Sequence, residues 1–219
     1  RNTFTDILPQ IIEQFQIQGD FVSGKPYGNG HINDTFLVQA GGQTNSYYIL
    51  QRINNQVFTD PPSLMENIER VTTHLSRKMS KLGKNPERNA LNLVKTKHNN
   101  SYVEHDSGYW RMYYFVKDAV GFERCKSEQM AYECGKAFGE FQNLLTDIPD
   151  SENLHETIPD FHNVIKRNQS FEDILSKDPI GRAKNVGAEI EAIRSRAEEM
   201  AKIEKARIDG ELPLRITHN

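Results

Sequence analysis

The spacing of the hydrophobic residues changes once along this chain, and that change constrains the fold more than any other feature. Before about residue 116, Val, Ile, Phe, Tyr and Thr are concentrated in short stretches bounded by Gly and Asn, as in β-strands. Beyond it, hydrophobic residues recur every three or four positions, as in amphipathic helices. We therefore predict an α+β fold, with a strand-rich domain over residues 1–116 and a mainly helical domain over residues 117–219.

The strand-rich half predicts five antiparallel strands and one helix. The helix is expected from about Ser63 to Leu82, because Ser63 and Glu66 have the spacing of a capping box and Gly83 follows the last turn. In chain order the five predicted strands are FVSGKPYG, DTFLVQA, SYYILQRI, LNLVKT and WRMYYFV. Because the helix lies between the third and the fourth strand, the predicted order is β-β-β-α-β-β.

The composition limits the classes of partner. The net charge is −3 and no cluster of five or more Lys and Arg occurs, which argues against nucleic acid or an anionic membrane as a partner. No apolar run approaches the roughly 18 residues of a membrane span, and no secretory signal pattern opens the chain. Cys125 and Cys134 lie within one predicted helix and its approach, and at helical spacing they would be about 13 Å apart, too far for a disulfide. We expect a reducing, cytoplasmic setting, and the oligomeric state stays open.

The loop YGNGHIND, residues 27–34, joins the first two strands. Gly28 and Gly30 flank Asn29, and glycine there frees the backbone to point successive N–H groups at a phosphate. An Asn-Gly pair between strands is also the commonest hairpin turn, and Asn33 replaces the third glycine of a G-x-G-x-x-G pattern. The loop alone is therefore compatible with a phosphate site and with a plain turn.

The third strand carries a cation. Strand alternation places Leu50 and Arg52 on one side, so that Arg52 could pair with nucleotide phosphates beneath the glycine loop. A solvated Arg at a sheet edge is the alternative. The following helix offers Glu66 and Glu69 as carboxylates to hold this cation, and Glu66 has the alternative role of capping its own helix.

Several stretches together resemble one family. The stretches, correctly ordered over about Phe15 to Asn219, are GNGHINDTFLV, YILQRIN, LMENIERVTTHL and IPDFHN. They resemble the aminoglycoside phosphotransferase/choline kinase superfamily, and within it most closely the N-acetylhexosamine 1-kinases. The resemblance implies a protein-kinase-like two-lobe fold, with a complete nucleotide-binding lobe over residues 1–116 and the hinge and first part of the helical C-terminal lobe over residues 117–219.

The implied reaction is transfer of the ATP γ-phosphoryl group, with Mg²⁺, to the anomeric hydroxyl of N-acetylglucosamine or N-acetylgalactosamine. By the same resemblance the glycine loop covers the phosphates, Arg52 binds them, Leu50 covers the adenine, and His31 contacts the sugar or the transferred phosphate. An exposed loop histidine is the alternative for His31. The implied nucleotide-binding residues are Gly28, Asn29, Gly30, Leu50, Arg52, Glu66, Tyr114, Phe115 and Val116, the last three through their backbone groups.

The final residues, LPLRITHN, match the strand and opening of the superfamily's H-x-D-x-x-x-x-N catalytic loop, with His218 as the motif histidine. The resemblance places the catalytic Asp and the Mg²⁺ ligands beyond Asn219. We therefore expect no metal site within residues 1–219, and from these residues alone weak nucleotide binding at most and no turnover. A polar chain end with an ordinary surface histidine is the alternative.

Other functions stay open. The acceptor could be another sugar, an aminoglycoside, homoserine or choline, and the chain could instead be a non-catalytic kinase-like binding module. Some relatives of this kinase group have carried the label mucin-desulfating sulfatase. Neither cysteine and no serine begins the C/S-x-P-x-R motif of common sulfatases, so the residues give that label no support.

Overall fold

The computed structural model describes residues 4–42 and 45–217, which form two compact units. The first extends to Thr157 and includes Ile216, and the second covers Ile158–Arg215. The change from strands to helices near residue 116 and the division near Thr157 are different boundaries. The division into two lobes at residue 116 therefore stays a prediction.

The first unit is built on a five-stranded antiparallel sheet, with strand order β1-β2-β3-β5-β4. The strands are β1 (Asp20–Pro26), β2 (Asp34–Gly41), β3 (Ser46–Arg52), β4 (Val103–His105) and β5 (Gly108–Tyr114). The predicted sheet is confirmed, but one of its members is not the predicted one. The stretch LNLVKT makes only isolated bridges, Phe15 with Thr96 and Leu93 with Tyr113, and β4 follows it.

The helices and the short 3-10 turns lie before, between and after the strands. The helices are α1 (Leu8–Ile12), α2 (Pro61–Lys81), α3 (Pro86–Asn89), α4 (Glu128–Leu144), α5 (Val164–Lys177), α6 (Gly187–Arg194), α7 (Ala197–Met200) and α8 (Lys202–Ile208), with 3-10 turns at Thr5–Ile7, Ser151–Asn153 and Ala183–Asn185. None of the helices in the described residues is both long enough and apolar enough to cross a membrane.

Helix α2 begins earlier than the capping-box pattern predicts. Its N-cap is Asp60, whose carboxylate accepts hydrogen bonds from the backbone N–H of Ser63 at 3.2 Å and from its hydroxyl at 2.5 Å. Pro61 and Pro62 occupy the first two helical positions, where no N–H is needed and the fixed φ of proline suits the helix. The expected capping by Ser63 and Glu66 is therefore wrong, although Gly83 does follow the helix with φ +68°.

The two faces of the sheet are covered differently. On one face α1 packs against the strands, and the largest core cluster forms there: Leu8, Ile11, Ile12, Phe15, Phe36, Val38, Ala40, Tyr48, Leu50, Val94, Val103, Trp110 and Met112. Each large apolar side chain buried in this way contributes about 1.5–3 kcal/mol. Because side chains alternate along a strand, the odd-numbered residues of β3 and β5 lie on the other face, part of which α2 covers through Leu64 and Met65.

The second unit has almost no buried side chains among its described residues. Among its described residues Glu204 is the only buried one, and its carboxylate accepts two hydrogen bonds from Arg207 at 2.6 and 2.9 Å. Arg194 binds Glu172 in the same two-pronged manner at 2.7 and 2.9 Å. Its described helices therefore form ion pairs at the surface and share no buried apolar core.

Candidate functional site

A cavity of about 370 Å³ opens on the face of the sheet opposite α1. It lies wholly within the first unit, and its size is in the range of small-molecule sites. Its walls come from the first residue of the glycine loop, from Leu91, from β3 and β5 and from the segment after β5: Tyr27, Ile49, Gln51, Leu91, Arg111, Tyr113, Tyr114, Phe115, Val116 and Ala119. One residue of the glycine loop, Tyr27, therefore lies at the same cavity as the segment that the sequence predicts to bind adenine.

The glycine loop is closed at its base, where the N–H of Tyr27 donates to the carbonyl of Thr35 at 2.9 Å. Gly28 has φ +77°, a conformation that side chains disfavour, and a Cβ at Gly28 or Gly30 would meet no atom within 4 Å. The side-chain amide of Asn29 donates to Glu123 at 2.8 Å, and His31 is exposed on the same loop. The loop therefore leaves open space in front of its backbone.

The segment after β5 is anchored through its backbone. The N–H of Tyr114 donates to the carbonyl of Asn92, and that of Phe115 donates to the carbonyl of Tyr47, both at 3.1 Å. Val116 is 37% exposed and its N–H takes part in neither bond. The ring of Phe115 meets that of Tyr27 edge to face, with centroids 5.9 Å apart. This segment can therefore present a backbone donor at the rim of the cavity.

A row of three polar side chains reaches the cavity, which two of them line. Thr35, Gln51 and Arg111 are aligned by the register of β2, β3 and β5. The amide of Gln51 donates to the Thr35 hydroxyl at 3.1 Å, and Nε of Arg111 donates to the amide oxygen of Gln51 at 3.0 Å. Burial lowers the pKa of the Arg111 guanidinium, and the nearby Tyr113 opposes this effect. Arginine stays protonated at neutral pH, so the cavity carries a positive charge.

An ion pair lies on the same face of the sheet. Lys95 follows Leu93 by two residues, and Leu93 is bridged to Tyr113 on β5, so strand alternation places Lys95 on the cavity face. Its ammonium is bonded to the carboxylate of Glu69 on α2. The helix therefore supplies a carboxylate to this face, and the cation that Glu69 holds is Lys95.

Two predicted residues lie away from the cavity. Leu50 has no exposed surface and belongs to the core against α1. Arg52 lies on the same face, where it donates to Asp34 at 2.9 Å and to the carbonyl of Ser107 at 3.2 Å, with its guanidinium 4.3 Å from the ring centre of Phe4. Leu50 and Arg52 therefore share one face of β3, as expected, but this face packs against α1, and the odd-numbered residues Ile49 and Gln51 line the cavity.

Glu66 has neither of its expected partners. Its carboxylate lies 2.9 Å from Nε2 of His155, and the side chain of Asn67 bonds the backbone of His155 at both N–H and carbonyl. Glu66 therefore links α2 to the segment around residue 155 through an ion pair. It neither caps α2 nor pairs with Arg52.

The predicted motif histidine, His218, lies outside the described residues. Within the part of the chain that the structure describes, no three His, Cys, Asp or Glu side chains converge as a metal site requires. No Mg²⁺ ligand is therefore assigned to any of these residues.

Sequence reasoning missed Arg111 and Gln51. One signal was present: Arg111 is a charged residue in the middle of the apolar stretch WRMYYFV, and charged residues are rarely buried without a partner. Such a residue inside a strand that is predicted to be buried marks a candidate site.

The comparisons with known proteins concern the fold. No protein-family model matches the chain. A solved structure of spectinomycin phosphotransferase, APH(9)-Ia, in complex with ADP and spectinomycin is similar, with a TM-score of 0.57 and 13% sequence identity. The match covers 94% of this chain and 59% of the other, so the chain spans well under two thirds of its neighbour's length. At this identity the likeness establishes the fold, and the predicted kinase-like α+β class is confirmed.

Proposed function

We propose that this protein is a small-molecule kinase that transfers the γ-phosphoryl group of ATP to a sugar hydroxyl, with the anomeric hydroxyl of an N-acetylhexosamine as the first choice. One observation carries this proposal: Tyr27 at the start of the glycine loop, Val116 with its backbone N–H, and the guanidinium of Arg111 line a single cavity in a kinase-like fold. The similar spectinomycin phosphotransferase was solved with ADP bound, which supports a nucleotide as the ligand.

The cavity suggests how ATP is held. Adenine would lie between the apolar side chains of Tyr27 and Ile49 and receive a hydrogen bond from the N–H of Val116. The N–H groups around Gly28 and Gly30 would then cover the phosphates. Phosphoryl transfer depends chiefly on positioning and on charge neutralisation, both of which this arrangement can supply.

Other parts of the proposal rest on the sequence resemblance. The choice of N-acetylhexosamine comes from the stretches GNGHINDTFLV and YILQRIN, and His31, exposed on the loop, is proposed to contact the sugar or the transferred phosphate. Residue 116 would divide the two lobes, and His218 would open the catalytic loop. Mg²⁺ supplied with ATP would neutralise part of the charge of the phosphates. A cytoplasmic location belongs to the same proposal.

A phosphoryl-transfer assay on the complete gene product tests the function. The protein is incubated with γ-³²P-ATP and Mg²⁺ and one acceptor at a time: N-acetylglucosamine, N-acetylgalactosamine, glucose, spectinomycin, homoserine or choline. We expect label on the two N-acetylhexosamines. Because the phosphate blocks the anomeric carbon, the labelled sugar should no longer be reducing, and mild acid should release it.

The outcomes separate the levels of the proposal. Label on spectinomycin, homoserine or choline without label on either N-acetylhexosamine would keep the kinase and reject the sugar. A labelled N-acetylhexosamine that is still reducing would reject the anomeric position. Absence of transfer to every acceptor, together with no binding of ATP, would favour a non-catalytic module.

A further inference from the structure

We propose that Arg111 of β5, and no residue of β3, supplies the guanidinium that binds the nucleotide phosphates, and that Gln51 positions it. This inference rests on the proposed function, because it takes the ligand of the cavity to be a nucleotide. It assigns a cation to the place that the sequence predicts for Arg52.

The position of Arg111 fits this role. Arg111 and Val116 line the same cavity, and Arg111 lies three residues before Tyr114 on β5. At about 3.4 Å per residue, Arg111 is roughly 10 Å along the strand from the segment proposed to bind adenine. In a nucleotide the ribose separates base from phosphates, so a base bound at that segment directs its phosphates away from it, toward the end where Arg111 lies.

The charge of Arg111 is not neutralised by a carboxylate. None of the ion pairs within the described residues includes Arg111. Its contacts are uncharged: the amide oxygen of Gln51, and the ring of Tyr113 with its centre 5.4 Å away. Glu69, the carboxylate on this face, is bonded to Lys95. A partly buried cation without a counter-charge costs free energy, which a bound anion would recover.

The guanidinium is also oriented for an anion. Gln51 engages only Nε, and Gln51 is itself held by the hydroxyl of Thr35. Arginine has five N–H donors in a planar fork, and the two terminal nitrogens carry four of them. This fork matches phosphate oxygens in a two-pronged geometry that the single ammonium of lysine cannot reproduce. The neutral Gln51 therefore serves the cavity by aligning Arg111.

The test measures how much the phosphates add to binding. Titration calorimetry on the complete gene product compares adenosine, ADP and ATP, with Mg²⁺ present, for the wild type, Arg111→Met, Arg111→Lys and Arg52→Met. We expect Arg111→Met to weaken ADP and ATP binding on the order of 10- to 100-fold, the range of a hydrogen bond to a charged group. Adenosine binding should change less than about twofold, and Arg111→Lys should recover part of the loss.

The Arg52→Met variant tests the competing hypothesis that Arg52 binds the phosphates. The phosphate-dependent gain is the factor by which ADP and ATP bind more tightly than adenosine. If Arg111→Met keeps this gain and Arg52→Met loses it, the inference is overturned and the proposed function still stands. A wild type that binds neither adenosine nor ADP would reject the proposed function and this inference with it. Should Arg111→Met fail to fold, an unchanged phosphate-dependent gain in Arg111→Lys would overturn the inference, and a several-fold loss would support it.

Discussion

Neighbouring residues of β3 have opposite environments. Leu50 is completely buried against α1, whereas Ile49 lines the cavity. The alternation of β3 could be predicted from the sequence, because the stretch has the composition of a strand. Which of the two sets faces the cavity could not be predicted, since each set contains an apolar residue followed by a polar one. The packing of α1 decides it, and α1 lies about 40 residues earlier in the chain.

Paired substitutions in β3 test this assignment. Leu50→Ala should lower the free energy of unfolding by about 2–5 kcal/mol, because it opens a hole in the core. Ile49→Ala should unfold nearly like the wild type but bind ATP several-fold more weakly, because it removes one wall of the adenine site. Denaturant unfolding and nucleotide titration of both variants provide the measurements. If a folded Leu50→Ala protein binds ATP more weakly and Ile49→Ala does not, the face of β3 that carries Leu50, and not the face that carries Ile49, binds the nucleotide.

At the level of the element, α2 covers part of the cavity face, and its N-cap Asp60 precedes the predicted cap Ser63. Asp60 caps the helix because Pro61 and Pro62, which follow it, suit the first two helical positions. The existence and the C-terminal end of α2 could be predicted from its periodicity and from Gly83. The partners of its carboxylates could not, because Glu66 and Glu69 meet residues far along the chain, His155 and Lys95.

Removal of the cap should therefore destabilise α2. We expect Asp60→Ala to lower the Tm by about 2–4 °C, the range for loss of an N-cap in a protein of this size, and Ser63→Ala to lower it less. Ser63→Ala keeps the backbone N–H that Asp60 accepts, so it serves as the matched control. A larger loss in Ser63→Ala than in Asp60→Ala would restore Ser63 as the cap.

The same cap predicts a pH dependence. The hydroxyl and the N–H of Ser63 donate to Asp60 and lower the pKa of its carboxyl below the ordinary value. A lowered pKa contributes stability above the unfolded-state pKa, and this contribution is lost as the pH falls through the folded-state pKa. The Tm difference between wild type and Asp60→Ala should therefore be full at pH 7 and smaller at pH 3. A difference that grows on acidification would contradict the assignment.

At the scale of the molecule, the two units differ in what holds them together. The first has a sheet with a buried apolar core, whereas the second has Glu204 as its only buried residue among those described. The change from strands to helices near residue 116 could be predicted from the period of the hydrophobic residues. The compact division near Thr157 could not, because it depends on which helical faces become buried rather than on how they are spaced.

This difference predicts uneven protection from hydrogen exchange in the 219-residue chain. Amides of β2, β3 and β5 should be the slowest to exchange, because opening them exposes the core. Amides of α5 and α6 should exchange much faster, since exposed ion pairs such as Arg194–Glu172 contribute little to stability. Mass-spectrometric exchange at peptide resolution measures both regions at once. Equal protection in α5 and β3 would contradict this account of the second unit.

The central claim, that the cavity on the face opposite α1 binds a nucleotide, is tested most directly by a crystal structure of the complete gene product with ADP. The account predicts adenine against Ile49 with a hydrogen bond from the N–H of Val116, and phosphate oxygens within hydrogen-bonding distance of Arg111. Adenine bound elsewhere, or phosphates on the side of the sheet where Arg52 meets Asp34, would contradict it.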